Sequence, residues 1–571
     1  MILSLIQKVR EHYILVSIIV FGFFLRVYGI YFDYPAVEIV TAETWNMSYL
    51  LRVLQGDVFN NVLQYPALLS FLYIPGVLIK IAYIAVVRGL YGIDTLKAYF
   101  IVNGMGDLVV VARWYAVFFG TATIFLIYKI YRIVFKQEPP ALYAALVCAV
   151  SLMPVLVSHW GKAHSGLIFF LVLSLYCILR FEEEKKLLWF WCSVITAALS
   201  FSAHYLGVNA FFIPLWGYVW NRESIKFRTV FKAALAYGAI VAFFYLVNYR
   251  GVFYSLYITL ISPTSYYGSN NYTSIYPIGR WERFYYVIRE SFNLEPAFVG
   301  LFLGLLVFNI KKFFKDRFVR YIAVFLACNY LFLTLVVASK YMSRYETPFI
   351  LFSSTLAAAI AMEWLLKKGF GKFALCAIGT LFLIPSLIFT AKWLILIHND
   401  TMVAAREWLL TVPAKGDVIY STNNLIDVPL SYDAALWQRD MNGVTASGKI
   451  NYIISHKEQF QNSGINIFYD RALRRKELAG PATKYAVVTY WNSDDGVTKV
   501  EKIKKEHTLE LVQKFYPTDR KDLPLGEIEE GYVNNPLNWR VLMQLRGTGP
   551  FVEIYRVISY DKSSIQQLAY D

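Results

Sequence analysis

A polytopic helical membrane bundle followed by a mixed α/β domain is the fold class this sequence predicts. Three observations carry it. The 571 residues are 57% hydrophobic and only 17% charged, where a soluble chain carries about a quarter charged residues. Long apolar runs, each near the ~20 residues needed to cross hydrocarbon, recur up to residue 396. After residue 397 the polar content becomes ordinary.

The apolar runs lie at 13–31, 66–87, 107–131, 139–158, 163–181, 187–203, 205–220, 229–247, 297–310, 318–338, 349–366 and 373–396. They predict about 11 to 13 membrane helices. The first is too long and too aromatic for a cleaved signal peptide, and no small-residue cleavage site follows it, so it is expected to stay as an anchor.

Basic residues flanking the spans set the orientation. Lys8 and Arg10 precede the first run. Lys129, Arg132 and Lys136 follow the third; Arg180, Lys185 and Lys186 follow the fifth; Arg222, Lys226 and Arg228 follow the seventh. Lys311, Lys312, Lys315 and Arg317 follow the ninth, and Lys367, Lys368 and Lys372 the eleventh. These place the N-terminus in the cytoplasm and the loops 32–65, 159–164, 248–296 and 339–348 outside, with everything after 397. One conflict of parity remains within 66–106: either this stretch holds a hairpin or an in-plane helix, or one of the charge assignments fails.

The net charge of +15 reads as topology, because much of the basic excess sits in loops assigned to the cytoplasm; nucleic acid is not an expected partner. Cys148, Cys177, Cys192, Cys328 and Cys376 all fall in apolar runs, as buried packing residues do. They form no disulfide framework and no metal-ligand spacing. No cofactor is expected, and nothing in the spacing supports a divalent metal.

The last stretch, 397–571, opens with a helix over 402–411 and a turn at Pro413 to Gly416. Strands are expected at 417–421, 485–491, 509–516 and 552–558, where Val, Tyr and Ile concentrate. It has no Gly-rich phosphate loop, no nucleophile elbow and no paired-histidine zinc motif. Binding or support is the role expected of it.

Chemistry is concentrated in the outer loops. Asp33, Glu38, Glu43 and Asp57 share the first of them, and carboxylates at a bundle mouth are functional candidates. The second brings His159, Lys162 and His164. The third holds Arg280, Arg283 and several tyrosines, and the fourth Lys340, Arg344 and Tyr345. His204 and Tyr205 lie between two short runs. A carboxylate suits a general base acting on a hydroxyl. Arginine and lysine suit a phosphate leaving group. Aromatics suit sugar faces and the first units of a lipid chain. The set fits transfer of a sugar from a lipid phosphate, although outer loops of many transporters hold similar residues. An inverted-repeat transporter would show two matching halves, and none is visible.

The order of motifs resembles the C-type membrane glycosyltransferases, the superfamily of the protein O-mannosyltransferases and the aminoarabinose transferases. Arg26, Pro35, Glu38, Gly56 with Asp57, and Tyr65 with Pro66 resemble that family's opening. Arg113 to Thr123 resembles its third span. Ser158 to Trp160, Ser343 to Pro348, and Asp400 to Trp408 resemble later segments. The resemblance implies a bundle with in-plane helices in the first outer loop, 32–65, spanning 1–396, and an extracytoplasmic α/β domain over 397–571. It implies a multi-pass protein of a prokaryotic cytoplasmic membrane. The expected partners are a polyprenyl-phosphate sugar donor, a lipid, glycan or protein acceptor, and a protein subunit.

Two departures from the family matter. Where it has Asp-Glu, this chain has Val37 and Glu38, and an acidic residue of the second loop is replaced by His164. Three readings follow. Glu38 acts as base with Asp33 or Glu43 assisting; or His164 has taken a proton-handling role; or the protein is a degenerate member that binds a lipid or partner without transfer. Glu38 and His164 are expected to line one outward cavity, with at least one of Arg280, Arg283, Lys340 and Arg344 beside them. Substitution of Glu43 or Asp57 is expected to matter much less than substitution of Glu38.

Overall fold

The computed structural model describes residues 13–34, 41–54, 65–102, 104–249, 253, 281–335, 343–414, 416–422, 428–442, 448–461, 464–469, 483–491, 493–504, 507–520 and 539–560. Each of the twelve apolar runs coincides with helix. They are α1 (Tyr13–Val27), α3 (Leu68–Arg88), α5 (Met105–Phe135), α6 (Glu138–Val150) with α7 (Leu152–Ser158), α8 (His164–Glu184), α9 (Leu187–Ala203), α10 (Phe212–Trp220), α11 (Phe227–Leu246), α13 (Pro296–Lys315), α14 (Arg317–Leu335), α15 (Thr347–Lys367) and α16 (Lys372–Leu396). Between them lie α2 (Thr41–Leu54), α4 (Ile93–Val102) and α12 (Glu282–Leu294). Seven described helices are long and apolar enough to cross a membrane, or eight if the bent pair α6 and α7 is one span. Together with the shorter apolar helices they make this a multi-pass membrane protein.

Two runs are not the single spans their composition suggested. The run 205–220 begins as a 3-10 helix, Tyr205–Phe211, before α10. The run 139–158 breaks by 55° between α6 and α7. Pro154 explains the second break, since it has no N–H for Val150 O and its ring crowds that carbonyl. Several groups at the break are met by other chain segments. Thr390 Oγ1 donates to Val150 O at 2.7 Å. Arg26 donates to Cys148 O at 3.0 Å and to Ala149 O at 3.0 Å. Glu295 accepts the Leu152 N–H at 2.8 Å, and the Ser386 hydroxyl donates to its other oxygen at 2.6 Å. Arg26 is fully buried. Replacing it with leucine strands two carbonyls in an apolar interior, at about 1–3 kcal/mol for each unmet group. Arg26→Leu is therefore expected to lower the thermal midpoint of the purified protein markedly, and Arg26→Lys, which keeps donors, to lower it less.

The bundle has two chemically distinct ends. At one, Lys136 pairs with Glu183, Arg317 and Lys185 with Glu182, and Asn221 Oδ1 accepts from Lys185 at 2.6 Å and Arg317 at 2.9 Å. These loops are the ones that the flanking basic residues grouped together. The other end gathers the 28–33 turn, α2, residues 159–164, His204, Tyr345 and the start of the C-terminal part. There Ile397 packs on Gly29, and the rings of His398 and Tyr28 meet at 5.0 Å.

The C-terminal part is a five-stranded mixed sheet. Its strands are β1 (Val418–Ser421), β2 (Asn466–Tyr469), β3 (Thr483–Tyr490), β4 (His507–Phe515) and β5 (Phe551–Tyr560), in the order β2-β1-β3-β5-β4. β1 pairs parallel with β2 and β3, and β5 antiparallel with β3 and β4. Helix α17 (Thr401–Thr411) opens this part, capped by Asp400, whose Oδ1 accepts from Met402 N at 2.7 Å. Four of the strands were expected; β2, four residues long, was not. The cysteines also depart from expectation. Cys148 and Cys177 are buried, Cys192 and Cys328 half-buried, and Cys376 exposed, as side chains facing lipid are in a membrane bundle.

Candidate active site

Construction of the site begins with Arg113 on α5. It is fully buried beside a fully buried carboxylate. Its Nε and Nη2 donate to the two oxygens of Glu43 at 3.1 and 2.7 Å, a two-pronged pair. Its Nη1 donates to Ile30 O at 3.0 Å and Phe32 O at 2.6 Å, and its guanidinium lies 3.8 Å from the Phe32 ring centroid. Glu43 also accepts the Gly161 N–H, and Asn46 donates to Gly161 O at 3.1 Å. One ion pair thus ties α2, the 28–33 turn and the 159–163 loop to α5. Glu43 is thus fully engaged by its partners at this end.

His159 continues the same strut. Its Nδ1 lies 2.9 Å from Val155 O and its Nε2 2.7 Å from Tyr28 O. Burial above all pushes the imidazole down to about 4, against the pull of both carbonyls. The neutral ring has a single N–H, so it donates to one carbonyl at a time. Both ring nitrogens of His159 thus face backbone carbonyls.

The strut supports a second, aromatic and basic group of residues. The His164 ring lies 4.9 Å from that of His204 and stacks at 6.1 Å on Tyr345. His204 in turn lies 4.1 Å from Tyr205 and 4.9 Å from Tyr65, and the hydroxyls of Tyr205 and Tyr345 are 3.2 Å apart. Burial, and then the charge of Arg344, push His204 down to about 3. His204 Nδ1 accepts the Leu206 N–H at 3.1 Å, which places the proton of the neutral ring on Nε2. Among the described residues neither that Nε2 nor either nitrogen of His164 has a hydrogen-bond partner. Lys162 and Arg344 are buried in the same region, and both add positive charge next to His164. Below Arg344, Glu346 accepts from Ser291.

His164, His204, Tyr205, Lys162 and Arg344 are thus brought together from three separate stretches of sequence. Glu38, Arg280 and Lys340 lie outside the described residues, as do Asp57 and the side chain of Arg283, so the juxtaposition of Glu38 with His164 does too. Tyr345, expected in the fourth outer loop, and Tyr65 join the site end; Arg113 joins it without having been counted among the site residues. The signal for Arg113 was an arginine inside an apolar run, which only a buried partner makes tolerable. Among the described residues no group of three or more His, Cys, Asp or Glu side chains is placed to hold a metal ion.

Asp33 sits apart from this cluster. It has a left-handed backbone, φ 59°, it is buried, and neither carboxylate oxygen has a partner among the described residues. Burial first, and then the charge of Asp400, hold its carboxyl well above the usual range, with Arg113 opposing and Glu43 adding. A carboxyl that keeps its proton in the folded state favours folding at low pH. That contribution is lost as pH rises from the unfolded value, about 4, through the raised folded one. Asp33→Asn removes the penalty and suits the left-handed backbone. It is expected to raise the thermal midpoint at pH 7, and the gain is expected to shrink as pH is lowered toward 4. A gain independent of pH would mean that Asp33 titrates alike in the folded and unfolded chain.

Residues 98–248 match the family model of the dolichyl-phosphate-mannose-protein mannosyltransferases. No curated protein matches the chain. Three solved structures are similar at low identity. The protein O-mannosyltransferase complex of S. cerevisiae bound to the sugar donor aligns at 18% identity and a TM-score of 0.29, over 44% of this chain and 33% of that one, so the likeness spans a third of its length. The oligosaccharyltransferase of Archaeoglobus fulgidus, in complex with an inhibitory peptide and a dolichol-phosphate, aligns at 11% identity and a TM-score of 0.45, over 90% and 74% of the two chains. ArnT from Cupriavidus metallidurans, bound to undecaprenyl phosphate, aligns at 10% identity and a TM-score of 0.46, over 88% and 96%. The chain resembles the C-type membrane glycosyltransferases, and residues 98–248 carry that resemblance.

Proposed function

We propose that the protein transfers a sugar from a polyprenyl-phosphate donor to an acceptor at the end of the bundle that carries the C-terminal sheet. The observation that carries this reading is the set of buried donors at that end. The N–H of neutral His204, an N–H of His164 and the guanidinium of Arg344 converge beside Lys162, and the two imidazoles have donors unmet among the described residues. Such a set suits a phosphate whose negative charge grows as the sugar departs. Tyr65, Tyr205 and Tyr345 supply flat faces for the sugar. Glu38 is the carboxylate proposed to take the acceptor's proton, since Glu43 is committed to Arg113. Positioning and electrostatics are all that the protein needs to add.

The purified protein, in lipid bilayers, is to be offered a panel of polyprenyl-monophosphate sugars while release of polyprenyl phosphate is followed. Turnover of at least one donor is expected, and Arg344→Ala is expected to reduce it by about 10²–10³-fold, the loss typical of one preorganised charge-stabilising donor. Binding of polyprenyl phosphate with no turnover of any donor would instead support the non-catalytic relative.

A further inference from the structure

A small cavity lies beside the ends of the 159–164 loop, where α1, α5, α7 and α8 meet. Arg26, Thr123, Ser158 and Ser165 line it, with Cys148 and apolar side chains around them. All four polar residues are buried. The cavity offers about 10 Å³ to water centres, the space that one water needs.

The polar groups of the lining are of two opposite kinds. Thr123 Oγ1 donates to Phe119 O at 2.8 Å, Ser158 Oγ to Pro154 O at 2.6 Å, and Ser165 Oγ to Val157 O at 2.7 Å. A hydroxyl has one proton and two lone pairs, so each proton is spent and the lone pairs remain to accept. Arg26 is the reverse case. Its Nη1 and Nη2 donate to the carbonyls of Gly22, Ala149 and Cys148, while its Nε–H has no partner among the described residues. Gly120 of α5 lets the two kinds approach each other. A Cβ at that position would lie 2.9 Å from Arg26 Nε and would clash with Ser158 Oγ. The unmet donor and an acceptor therefore lie against the same face of one glycine, with no direct bond from Nε to the hydroxyl.

We infer that this cavity is a binding site for one water molecule, which accepts from Arg26 Nε–H and donates to Ser158 Oγ and to the oxygen of Ser165 or Thr123. The lining selects the ligand. A halide only accepts, and it would find one unspent donor against three hydroxyl oxygens. A metal ion would meet the guanidinium, and among the described residues no carboxylate lines the cavity to offset that charge. Water does both, and a buried water typically takes about three such partners. Ser158 closes α7. Through it the water ties α1 to the start of the loop that carries Lys162 and His164. The inference is independent of the transfer reaction.

A millisecond X-ray pulse on the protein in lipid nanodiscs tests it, because hydroxyl radicals form at bound water as well as in bulk. Cys148 and Cys177 are both buried, and of the two only Cys148 lines the cavity. Oxidation is expected at Cys148 and not at Cys177. Ser165→Val, which fills the cavity and removes one acceptor, is expected to abolish it. Equal protection of both cysteines in the unmodified protein would show the cavity dry and overturn the inference. The second measurement exchanges chloride for bromide or gluconate at constant ionic strength. The thermal midpoint is expected to stay the same. A midpoint that rises with halide in the unmodified protein but not in Ser165→Val would place an anion on Arg26 and overturn the assignment to water.

Discussion

Arg113→Leu is expected to cost about 3–5 kcal/mol, the range for removing one member of a buried ion pair. Glu43 would remain with no access to water, and the carbonyls of Ile30 and Phe32 would lose their donor. Three segments joined through that guanidinium would loosen together, so the loss should appear as a lower thermal midpoint and as faster proteolysis of the 28–33 turn. Glu43→Gln leaves Arg113 charged and unpaired and is expected to be comparably damaging. The double variant Arg113→Leu with Glu43→Leu is the decisive measurement. If the single losses come from stranded charge, the double variant recovers much of the stability, because a buried pair is often replaceable by apolar residues. Additive losses would mean that the pair contributes through its hydrogen bonds to backbone rather than through mutual neutralisation.

The bundle was legible in the sequence because length and apolarity decide which segments become long apolar helices, and every run at 13–31 through 373–396 coincides with helix. The grouping of the basic loops was legible for the same reason: Lys136, Lys185 and Arg317 lie at one end because charge is excluded from the interior. What the sequence hid was set by partners far along the chain. Glu43 and Arg113 are 70 residues apart, and Arg26 reaches carbonyls more than 120 residues away; no local spacing predicts either. Pro154 marked the break between α6 and α7 openly, but only the structure showed Glu295 and Arg26 closing it. The cluster of His164, His204 and Arg344 was readable as a list of residues but not as one place, since it depends on the tertiary meeting of α8, α9 and α15.

Glu38→Gln is expected to reduce sugar transfer by about 10²–10⁴-fold, the usual contribution of a positioned acid or base, with the thermal midpoint unchanged. Glutamine keeps the size and the hydrogen bonding of the side chain but does not take a proton. The comparison that gives the result meaning is Glu43→Gln, which is expected to lose activity and stability together because it breaks the pair with Arg113. A catalytic base and a structural carboxylate in the same outer loop are thus separated by whether the fall in rate comes with a fall in stability. His164→Asp adds a further arm. It puts a carboxylate where the resembled family carries one, and it sets that charge among Lys162, Arg344 and His204. If His164 donates to the departing phosphate, the new charge repels it, and transfer falls while acceptor affinity holds. Unchanged transfer in His164→Asp would remove His164 from phosphate binding, and full activity in Glu38→Gln would remove Glu38 as the base. With Glu43 paired, Asp33, whose carboxylate has no hydrogen-bond partner among the described residues and which interacts electrostatically with that pair, would then be the group to test in its place.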